Sequence, residues 1–348
     1  MKKQGKIALI VVASVLACVA IVAGSMAGVA AKAIDNSETD KFLSTWMSYL
    51  SDDARLGDVV IPGSHDSGTA DMMWAARTQD KSIKEQMACG ARYFDIRVKH
   101  DKGKLSIFHG PISAGDFRGI VDDIKDFLQS NPSETLLLDF QHFKGGNVVM
   151  ELVDKELATK LEGRLVANDT PKTDVDFVKS LTIGDVRGKA LVFWGNESGE
   201  KSNCDFIDCK NYLFQRNNDD GTRKDCVIHS YYDGLLNRKP SAKYLGKAID
   251  KYVGKYSESN GALFVMQMQL TDPVLFIGPK FYEGTHDKNA TEFISTLPGK
   301  EYFDRVNIIM RDFVGARKMR QILSLNKDKG TVQSAKLAEF ETECTQTR

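Results

Sequence analysis

The sequence predicts an α/β fold, a TIM-type (β/α) barrel that is either closed or distorted and incompletely closed. Short apolar runs alternate with amphipathic helical stretches along residues 58–326, roughly six times, which favours a parallel sheet with helices outside it. Ionisable residues recur late in the predicted strands or just after them, where barrels of this type form their active sites. Together these two observations predict one barrel domain with a polar site at its rim.

We divide the chain into residues 1–33, a lead-in at 34–57, the barrel at 58–326 and a polar tail at 327–348. Lysines at positions 2, 3 and 6 precede an uncharged run from Ile7 to Ala31. This run suits either a cleaved signal peptide ending near Ala31-Lys32-Ala33 or an uncleaved membrane anchor; a lipoprotein box at Cys18 is a weaker third reading. All three predict a secreted or membrane-anchored, extracytoplasmic protein.

Composition excludes some classes of function. The 348 residues are 42% hydrophobic and 27% charged, which is typical of a globular protein rather than a disordered one. The formal net charge is zero, and this gives no support to nucleic-acid binding, which usually requires a basic excess. We expect a monomer that binds no nucleic acid.

The strands are predicted from apolar, β-branched and aromatic runs bounded by turn residues. The first is Val59-Val60-Ile61, which leads into a Pro-Gly-Ser-His-Asp turn, and Glu134 to Phe140 (ETLLLDF) is apolar enough to be buried on both faces. A hairpin through Lys102-Gly103 joins the second and third strands. The strands after the first are predicted at 91–98, 105–110, 134–140, 190–194, 227–232, 262–270 and 306–313.

The helices are predicted from apolar residues at helical spacing and from their stop signals. Phe42, Trp46 and Leu50 predict a short lead-in helix packed on the domain, and Gly90 ends a helix that contains Ile83. Further helices are predicted at 115–130, 147–166, 241–256, 287–297 and 316–325. From residue 326 the sequence is polar, and we expect partial disorder there.

The cysteines are consistent with an extracytoplasmic location. Cys204, Cys209 and Cys226 cluster in a polar segment, where a disulfide would hold a loop. His229 lies near them, but a tetrahedral zinc site needs a fourth ligand that the sequence does not offer. The asparagines at 168, 196 and 289 begin glycosylation sequons, which have meaning only in a eukaryotic source.

The candidate site combines two histidines, an arginine and several carboxylates at predicted strand ends. Two histidines allow one to accept a proton while the other donates one, and an arginine suits a phosphate oxygen. Carboxylates beside each histidine would fix its tautomer and raise its pKa. These groups suit metal-free phosphoryl transfer, and they are His65 and Asp66 after the first strand, Asp95 and Arg97 on the second, His109 after the hairpin, and Asp312 on the last.

Two structural alternatives stay open for single residues. Asp95 and Arg97, two positions apart, face the same side of a strand and would also serve as an ion pair that lines the barrel. Asp312 would also serve as the N-cap of the closing helix.

Three motifs in order also resemble the X region of the bacterial phosphatidylinositol-specific phospholipases C. They are Ile61-Pro62-Gly63-Ser64-His65-Asp66-Ser67, Gly90-Ala91-Arg92-Tyr93-Phe94-Asp95-Ile96-Arg97 and Phe108-His109-Gly110-Pro111, followed by Asn131-Pro132-Ser133-Glu134-Thr135. The strong resemblance covers about residues 58–143. It implies a phosphodiesterase that cleaves phosphatidylinositol, or a glycosyl-phosphatidylinositol anchor, at a membrane surface, to diacylglycerol and inositol 1,2-cyclic phosphate.

The resemblance also implies a role for each matched residue. His65 would be the general base for the inositol 2-hydroxyl, and His109 would be the acid that protonates the leaving oxygen. Arg97 would hold a phosphate oxygen. Asp66 would serve His109 and Arg97 rather than the adjacent His65, Asp312 would orient His65, Asp95 would position Arg97 or touch inositol, and Tyr232 would stack on the inositol ring.

We predict no metal and no cofactor, because Arg97 puts a permanent positive charge where the calcium-dependent relatives need a ligand. The bacterial enzymes also have a Lys and an Arg on two strands that contact inositol. This sequence has Gln141-His142 and Phe193-Trp194 there, and Ser230 in place of an Asp. Hence a barrel that binds phosphoinositide or a partner without turnover is the alternative function. A metal-dependent glycerophosphodiesterase is disfavoured because its His-Arg-Gly opening and Glu-rich metal set are absent.

Overall fold

A computed structural model of the chain describes residues 40–194, 212–214, 216–217, 227–231, 247, 261–269 and 278–346. The predicted signal peptide or anchor, the helix at 241–256, Tyr232 and the cysteines at 204, 209 and 226 lie outside the described residues. Within the described part, no helix is long and apolar enough to cross a membrane.

In the described residues, one sheet of eleven strands forms the centre of the fold. The strands are β1 (Ile61–Ser64), β2 (Tyr93–Asp101), β3 (Lys104–His109), β4 (Ile112–Ala114), β5 (Leu136–Lys144), β6 (Ala190–Trp194), β7 (Tyr212–Phe214), β8 (Arg216–Asn217), β9 (Ile228–Tyr231), β10 (Leu263–Gln267) and β11 (Ile308–Arg311). The α-helices are α1 (Lys41–Thr45), α2 (Ile83–Ala88), α3 (Phe117–Ser130), α4 (Asn147–Lys160), α5 (Asp174–Ser180), α6 (Ile183–Val186), α7 (Pro279–Ser295), α8 (Ala316–Asp328) and α9 (Leu337–Thr345).

The strand order is β7-β6-β5-β2-β1-β11-β10-β9-β8, and every pairing along it is parallel. β3 and β4 continue β2 as an antiparallel hairpin. In the described part of the chain no pairing joins β7 to β8, so the strongly curled sheet stays open as a half-barrel. The predicted α/β barrel is therefore confirmed in its incompletely closed form.

Burial explains why the strands sit where they do. All four residues of β1 and of β11 are buried, as are all five residues of β6, so these strands have helices on one face and the barrel interior on the other. β1 is hydrogen-bonded to β2 on one side and to β11 on the other. The carboxyl ends of these three strands therefore meet at one rim.

The lead-in packs on the amino-terminal side of the sheet, as predicted. α1 is followed by a 3₁₀ turn at Trp46–Tyr49, and the indole of Trp46 donates a 3.0 Å hydrogen bond to the carbonyl of Gly90, just before β2. Phe42 and Trp46 are buried. This contact closes the lower side of the barrel.

The expected disorder of the tail was wrong. Residues 337–345 form α9, and the fully buried Phe340 packs edge-on against Phe42 with ring centroids 5.6 Å apart. A single aromatic residue on an otherwise polar helix gives little periodic signal, and this is why the sequence did not predict the helix.

Several predicted boundaries shift. α4 ends at Lys160 rather than 166, and α7 begins at Pro279 rather than 287, where Gly278 with φ 81° and the proline at the first turn start the helix. β5 runs to Lys144, beyond the predicted end at 140, since it pairs along its length with the long β2.

Candidate active site

The rim formed by β1, β2 and β11 gathers the predicted site residues. Ser64, the last residue of β1, pairs with Phe94 of β2 and with Arg311 of β11. His65 and Asp312 each follow these paired positions directly, so both extend from the same edge. His109 reaches the edge from the end of β3, through the hairpin that extends β2.

His65 lies between two carboxylates. Its Nδ1 is 2.7 Å from Oδ1 of Asp312, and its Nε2 is 3.3 Å from Oδ2 of Asp66. Only 17% of its side chain is exposed. A histidine held in this way has one fixed ring orientation, with one nitrogen bound to a carboxylate and the other facing the rim.

The carboxylates control the protonation of His65. Burial lowers the pKa of His65, but the charges of Asp66 and Asp312, the hydrogen bond to Asp312 and the more distant Asp95 outweigh this effect and raise the pKa to about 9. Burial raises the pKa of Asp312, against the opposing effect of His65. In the free protein His65 is therefore protonated at neutral pH.

Asp66 contacts three cationic groups. Its Oδ1 is 2.6 Å from Nε of Arg97, and its Oδ2 lies 3.3 Å from Nε2 of His65 and 3.5 Å from Nε2 of His109. The expected contacts of Asp66 with Arg97 and His109 are present, but Asp66 also contacts the adjacent His65, which the sequence analysis did not expect. Burial raises the pKa of Asp66, but Arg97, His65 and His109 together lower it to about 2.

The β2–β5 register shifts beside Arg97: Ile96 pairs with Phe140 and Arg97 pairs with His142, so Gln141 of β5 is the extra residue of a β-bulge. Such a bulge changes the direction of the side chain beside it, and bulges are common next to active sites. Nη2 of Arg97 is 3.2 Å from Oδ2 of Asp95, which is fully buried and also accepts a 3.2 Å bond from the backbone N–H of Asp66. The Asp95–Arg97 ion pair thus exists, and it belongs to the same cluster as Asp66.

His109 is the more exposed of the two site histidines, with 30% of its side chain exposed. Its Nδ1 lies 2.8 Å from the carbonyl of Ala76, so Nδ1 is the donor and Nε2 faces Asp66. Every residue type has a backbone carbonyl, so the sequence could not reveal that Ala76 is the partner of His109.

Gln79 is a further residue that the sequence analysis missed. Its buried amide donates to the carbonyls of His65 at 2.8 Å and Arg311 at 3.1 Å, and its oxygen accepts from the N–H of Val314 at 3.0 Å. One side chain therefore ties the His65 turn to the strand end that carries Asp312. A glutamine in a polar loop is common, so only the fold reveals this function.

Asp312 does not cap the closing helix, since the N-cap of α8 is Gly315. On the inositol side of the predicted site, Gln141 is nearly buried and donates a 3.1 Å bond to Asp139. Trp194 lies against Phe143, with ring centroids 4.6 Å apart. Uncharged groups thus lie where the resemblance leads one to expect a Lys and an Arg.

His65, Asp66 and Asp95 place potential ligand atoms within 4.8 Å of one another, which is close enough for a metal ion. The guanidinium of Arg97 contacts both carboxylates of this group at 2.6 and 3.2 Å. A divalent cation bound between them would meet that fixed positive charge, so the donor set fits a metal poorly.

Exposed apolar side chains lie on segments that follow the strand ends of the sheet, and we call this set of side chains the apolar rim. Among the described residues, four large apolar side chains are exposed, and each follows the carboxyl end of a strand: Met73 and Trp74 after β1, Val148 after β5, and Phe281 after β10. Trp74 packs against Gly278, where a Cβ atom would lie 2.7 Å from the indole ring. An apolar surface at one rim is typical of an interaction site.

Comparison with known proteins identifies the class. Residues 53–195 match the family model "Phosphatidylinositol-specific phospholipase C, X domain", so this stretch of the chain is similar to the X domain of that family. Among individual proteins, a 1-phosphatidylinositol phosphodiesterase of Listeria monocytogenes is 29% identical over 304 residues, which cover 85% of this chain and 88% of that protein. A protein of the same name from Staphylococcus aureus is 38% identical over 104 residues, 28% of this chain and 33% of the relative.

Solved structures agree on the fold. The phosphatidylinositol-specific phospholipase C of Listeria monocytogenes matches with a TM-score of 0.63 and 24% identity, over 81% of this chain and 98% of that one. A variant of the Staphylococcus aureus enzyme matches with a TM-score of 0.59 and 19% identity, over 86% of this chain and all of that one. The open, curled sheet is therefore the distorted barrel of these bacterial proteins.

Proposed function

We propose that the protein is a phosphatidylinositol diacylglycerol-lyase of the phospholipase C type, in which His65 is the base and His109 is the acid. The observation that carries the proposal is the convergence of both Nε2 atoms on one carboxylate, Asp66, whose other oxygen holds Arg97. This geometry brings a proton acceptor, a proton donor and a fixed cation together around one carboxylate, because the segments that carry them meet in this fold.

The reaction needs no group from outside the chain. Neutral His65 accepts the proton of the inositol 2-hydroxyl, whose oxygen then forms a bond to phosphorus. The bond from phosphorus to the diacylglycerol oxygen breaks, and His109 gives this oxygen its proton. Attack within one molecule is favoured because the nucleophile is already tethered, and Arg97 stabilises the charge that develops on the phosphate oxygen. The products are diacylglycerol and inositol 1,2-cyclic phosphate.

The substrate is a lipid, and the apolar rim supports action at a membrane surface. The Trp74 loop also contains Ala76, whose carbonyl accepts a hydrogen bond from His109, so the exposed Trp74 is two residues from a contact of the proposed acid. Side chains that insert among acyl chains would thus bring the site to the lipid head groups. With the predicted amino-terminal leader, this proposal puts the enzyme outside the cytosol, which fractionation of the source cells would test.

The proposal is tested by incubating pure protein with phosphatidylinositol vesicles and following cyclic inositol phosphate by phosphorus NMR. We expect product from the wild type and a rate lower by roughly 10²–10⁴-fold for His65→Ala, because a general base is lost. His100→Gln, a histidine on β2 outside the cluster, is the matched control and should keep the rate. Absence of product from wild type, or equal product from His65→Ala, would reject the enzyme and leave a binding barrel.

Gln141 and Trp194 are uncharged residues at the two strands where the resemblance implies a Lys and an Arg that contact inositol. A parallel assay with a glycosyl-phosphatidylinositol-anchored protein on vesicles would distinguish the two lipid classes. Release of the anchored protein at a rate comparable with phosphatidylinositol cleavage would assign both substrates to the enzyme.

A further inference from the structure

A buried ionic cluster lies behind Asp312, and the proposed reaction does not use it. We propose that Lys318, on α8, is a positioning residue that fixes Asp312 and, through it, His65. Its Nζ donates a 2.8 Å hydrogen bond to the backbone carbonyl of Asp312, and its side chain is only 9% exposed. This inference rests on the proposed function, in which His65 is the base.

The position of Lys318 is itself fixed by carboxylates on α7. Its Nζ is ion-paired with Glu283 and lies 3.5 Å from Oδ1 of Asp287. Arg311 binds the same two carboxylates at 3.2 and 2.9 Å. A buried ammonium is costly unless it is paired, so the cluster gives Lys318 one well-defined place beneath the site.

The turn after β11 needs such support. Phe313 has φ 45°, a left-handed conformation that a bulky residue rarely adopts, so the turn persists only when its surroundings hold it. The N–H of Phe313 donates to the carbonyl of Thr78 at 2.8 Å, and that of Val314 donates to Gln79 at 3.0 Å. The loop after β1 thus holds the N–H groups of the turn, and Lys318 holds the carbonyl of Asp312 from the opposite side.

A role of Lys318 through its charge and a role through its position predict opposite changes in the pKa of His65 when Lys318 is removed. If only its positive charge mattered, its loss would favour protonated His65 and raise the pKa of His65. If Lys318 positions Asp312, its loss lengthens the 2.7 Å bond from Asp312 to His65 and lowers this pKa. The charged and titratable groups around the pair are Asp66, Asp95, Glu283, Asp287, Arg311, Arg317, Lys280 and His286.

The test is an NMR titration of the full chain with ¹⁵N-labelled histidine, with the His65 signal assigned from its absence in His65→Ala. In Lys318→Met we expect the pKa of His65 to fall by about one unit, the usual size of a lost carboxylate contact. Lys327→Met, on the exposed side of the same helix and paired only at the surface with Glu341, should leave the pKa unchanged. Phe340→Ala controls for general destabilisation and should also leave it unchanged.

A His65 pKa in Lys318→Met that stays constant or rises overturns the inference. If this variant does not fold, Lys318→Gln replaces it, because an amide is more readily accommodated in a polar cluster. A fall in the pKa of His65 then supports the inference, and a constant or higher pKa overturns it. The titration needs no substrate. Failure of the proposed function, seen as no product from wild type, is thus separate from failure of the positioning function, seen in the pKa.

Discussion

Asp66 determines the electrostatics of the site. Asp66 has φ 43°, a backbone conformation that non-glycine residues rarely adopt. Such a conformation costs about 1–3 kcal/mol. Aspartate tolerates this region better than most residues. In return its carboxylate reaches Arg97 and both histidines, and its pKa of about 2 keeps it ionised at any physiological pH. A permanent anion between the two histidines stabilises whichever of them carries the proton.

The pH dependence of the activity follows from His65. Its pKa is raised to about 9, so the neutral base is the minor form at neutral pH and its fraction grows as the pH rises, and the ascending limb of the kcat/KM profile should therefore follow His65. In Asp312→Asn one of the carboxylates that raise the pKa is gone. The ascending limb should therefore move to lower pH, while kcat falls by roughly 10²-fold because the ring is less well oriented. Initial rates between pH 5 and 10 measure both effects.

Asp304→Asn is the matched control, since Asp304 lies on the 3₁₀ turn Phe303–Arg305 away from the site. Its pH profile should be that of the wild type. If the ascending limb of the pH profile lies at the same pH in Asp312→Asn as in the wild type, its assignment to His65 is contradicted.

Arg97 also governs the response to metal chelators. Its guanidinium already neutralises Asp66 and Asp95, the two carboxylates that a calcium ion would need. We expect excess chelator to leave the initial rate of phosphatidylinositol cleavage unchanged. Loss of the rate, restored by calcium, would contradict this prediction.

Sequence reasoning predicted the site better in its side chains than in its supporting contacts. His65, Arg97, His109 and Asp312 carry reactive groups and follow apolar runs, so their residue types and positions were informative. Gln79 was not predictable, because its function depends on the backbone carbonyls of His65 and Arg311, which are 246 residues apart in the chain (311 − 65) and meet only in the folded protein.

At the scale of elements, the local pattern of apolar residues predicted β6 at its observed bounds. It failed where contacts with distant elements determine the structure. The bulge at Arg97 depends on how β2 meets β5, and no residue near it is diagnostic. α9 depends on its packing partner in the lead-in, Phe42, which lies about 300 residues earlier and could not contribute to a local pattern.

The packing of α9 predicts a measurable stability. Phe340 is fully buried between Phe42 and Tyr49. Phe340→Ala should reduce the free energy of unfolding by about 3–5 kcal/mol, since a buried aromatic ring is lost and a cavity remains. Urea denaturation followed by circular dichroism measures the change.

Thr342→Ala, an exposed position on the same helix, should change the free energy of unfolding by less than about 0.5 kcal/mol. Equal stabilities for the Phe340 and Thr342 variants would show that α9 contributes nothing to the folded domain.

For the whole molecule, the alternation of strands and helices was enough to predict the class of fold but not its closure. Closure depends on whether the two edge strands, here β7 and β8, meet across the barrel. That is a matter of strand tilt and stagger, which the apolar pattern of single strands does not encode. The open sheet still places His65, Arg97 and Asp312 on or directly after its central three strands, β1, β2 and β11, and His109 comes from the β3 hairpin that extends β2.

The apolar rim connects this architecture to the proposed lipid substrate. Loops at the carboxyl ends of the strands carry both the site and the exposed Trp74 and Phe281, so binding to a bilayer through these side chains would present the site to the head groups. Burying one large apolar side chain contributes about 1.5–3 kcal/mol. Trp74→Ala or Phe281→Ala should therefore weaken binding to phosphatidylcholine–phosphatidylinositol vesicles by roughly tenfold or more.

Sedimentation with sucrose-loaded vesicles measures this affinity, and Trp74 also gives a spectroscopic readout. Trp46 and Trp194 are buried, so a blue shift of tryptophan emission on vesicle addition should come from Trp74 and be lost in Trp74→Ala. Thr342→Ala, at the opposite end of the sheet, should bind as the wild type does. Cleavage of a water-soluble phosphodiester analogue should also be retained in Trp74→Ala, since the indole acts on the membrane and not on phosphorus. Unchanged vesicle affinity in both rim variants would mean that the enzyme approaches its lipid through another surface.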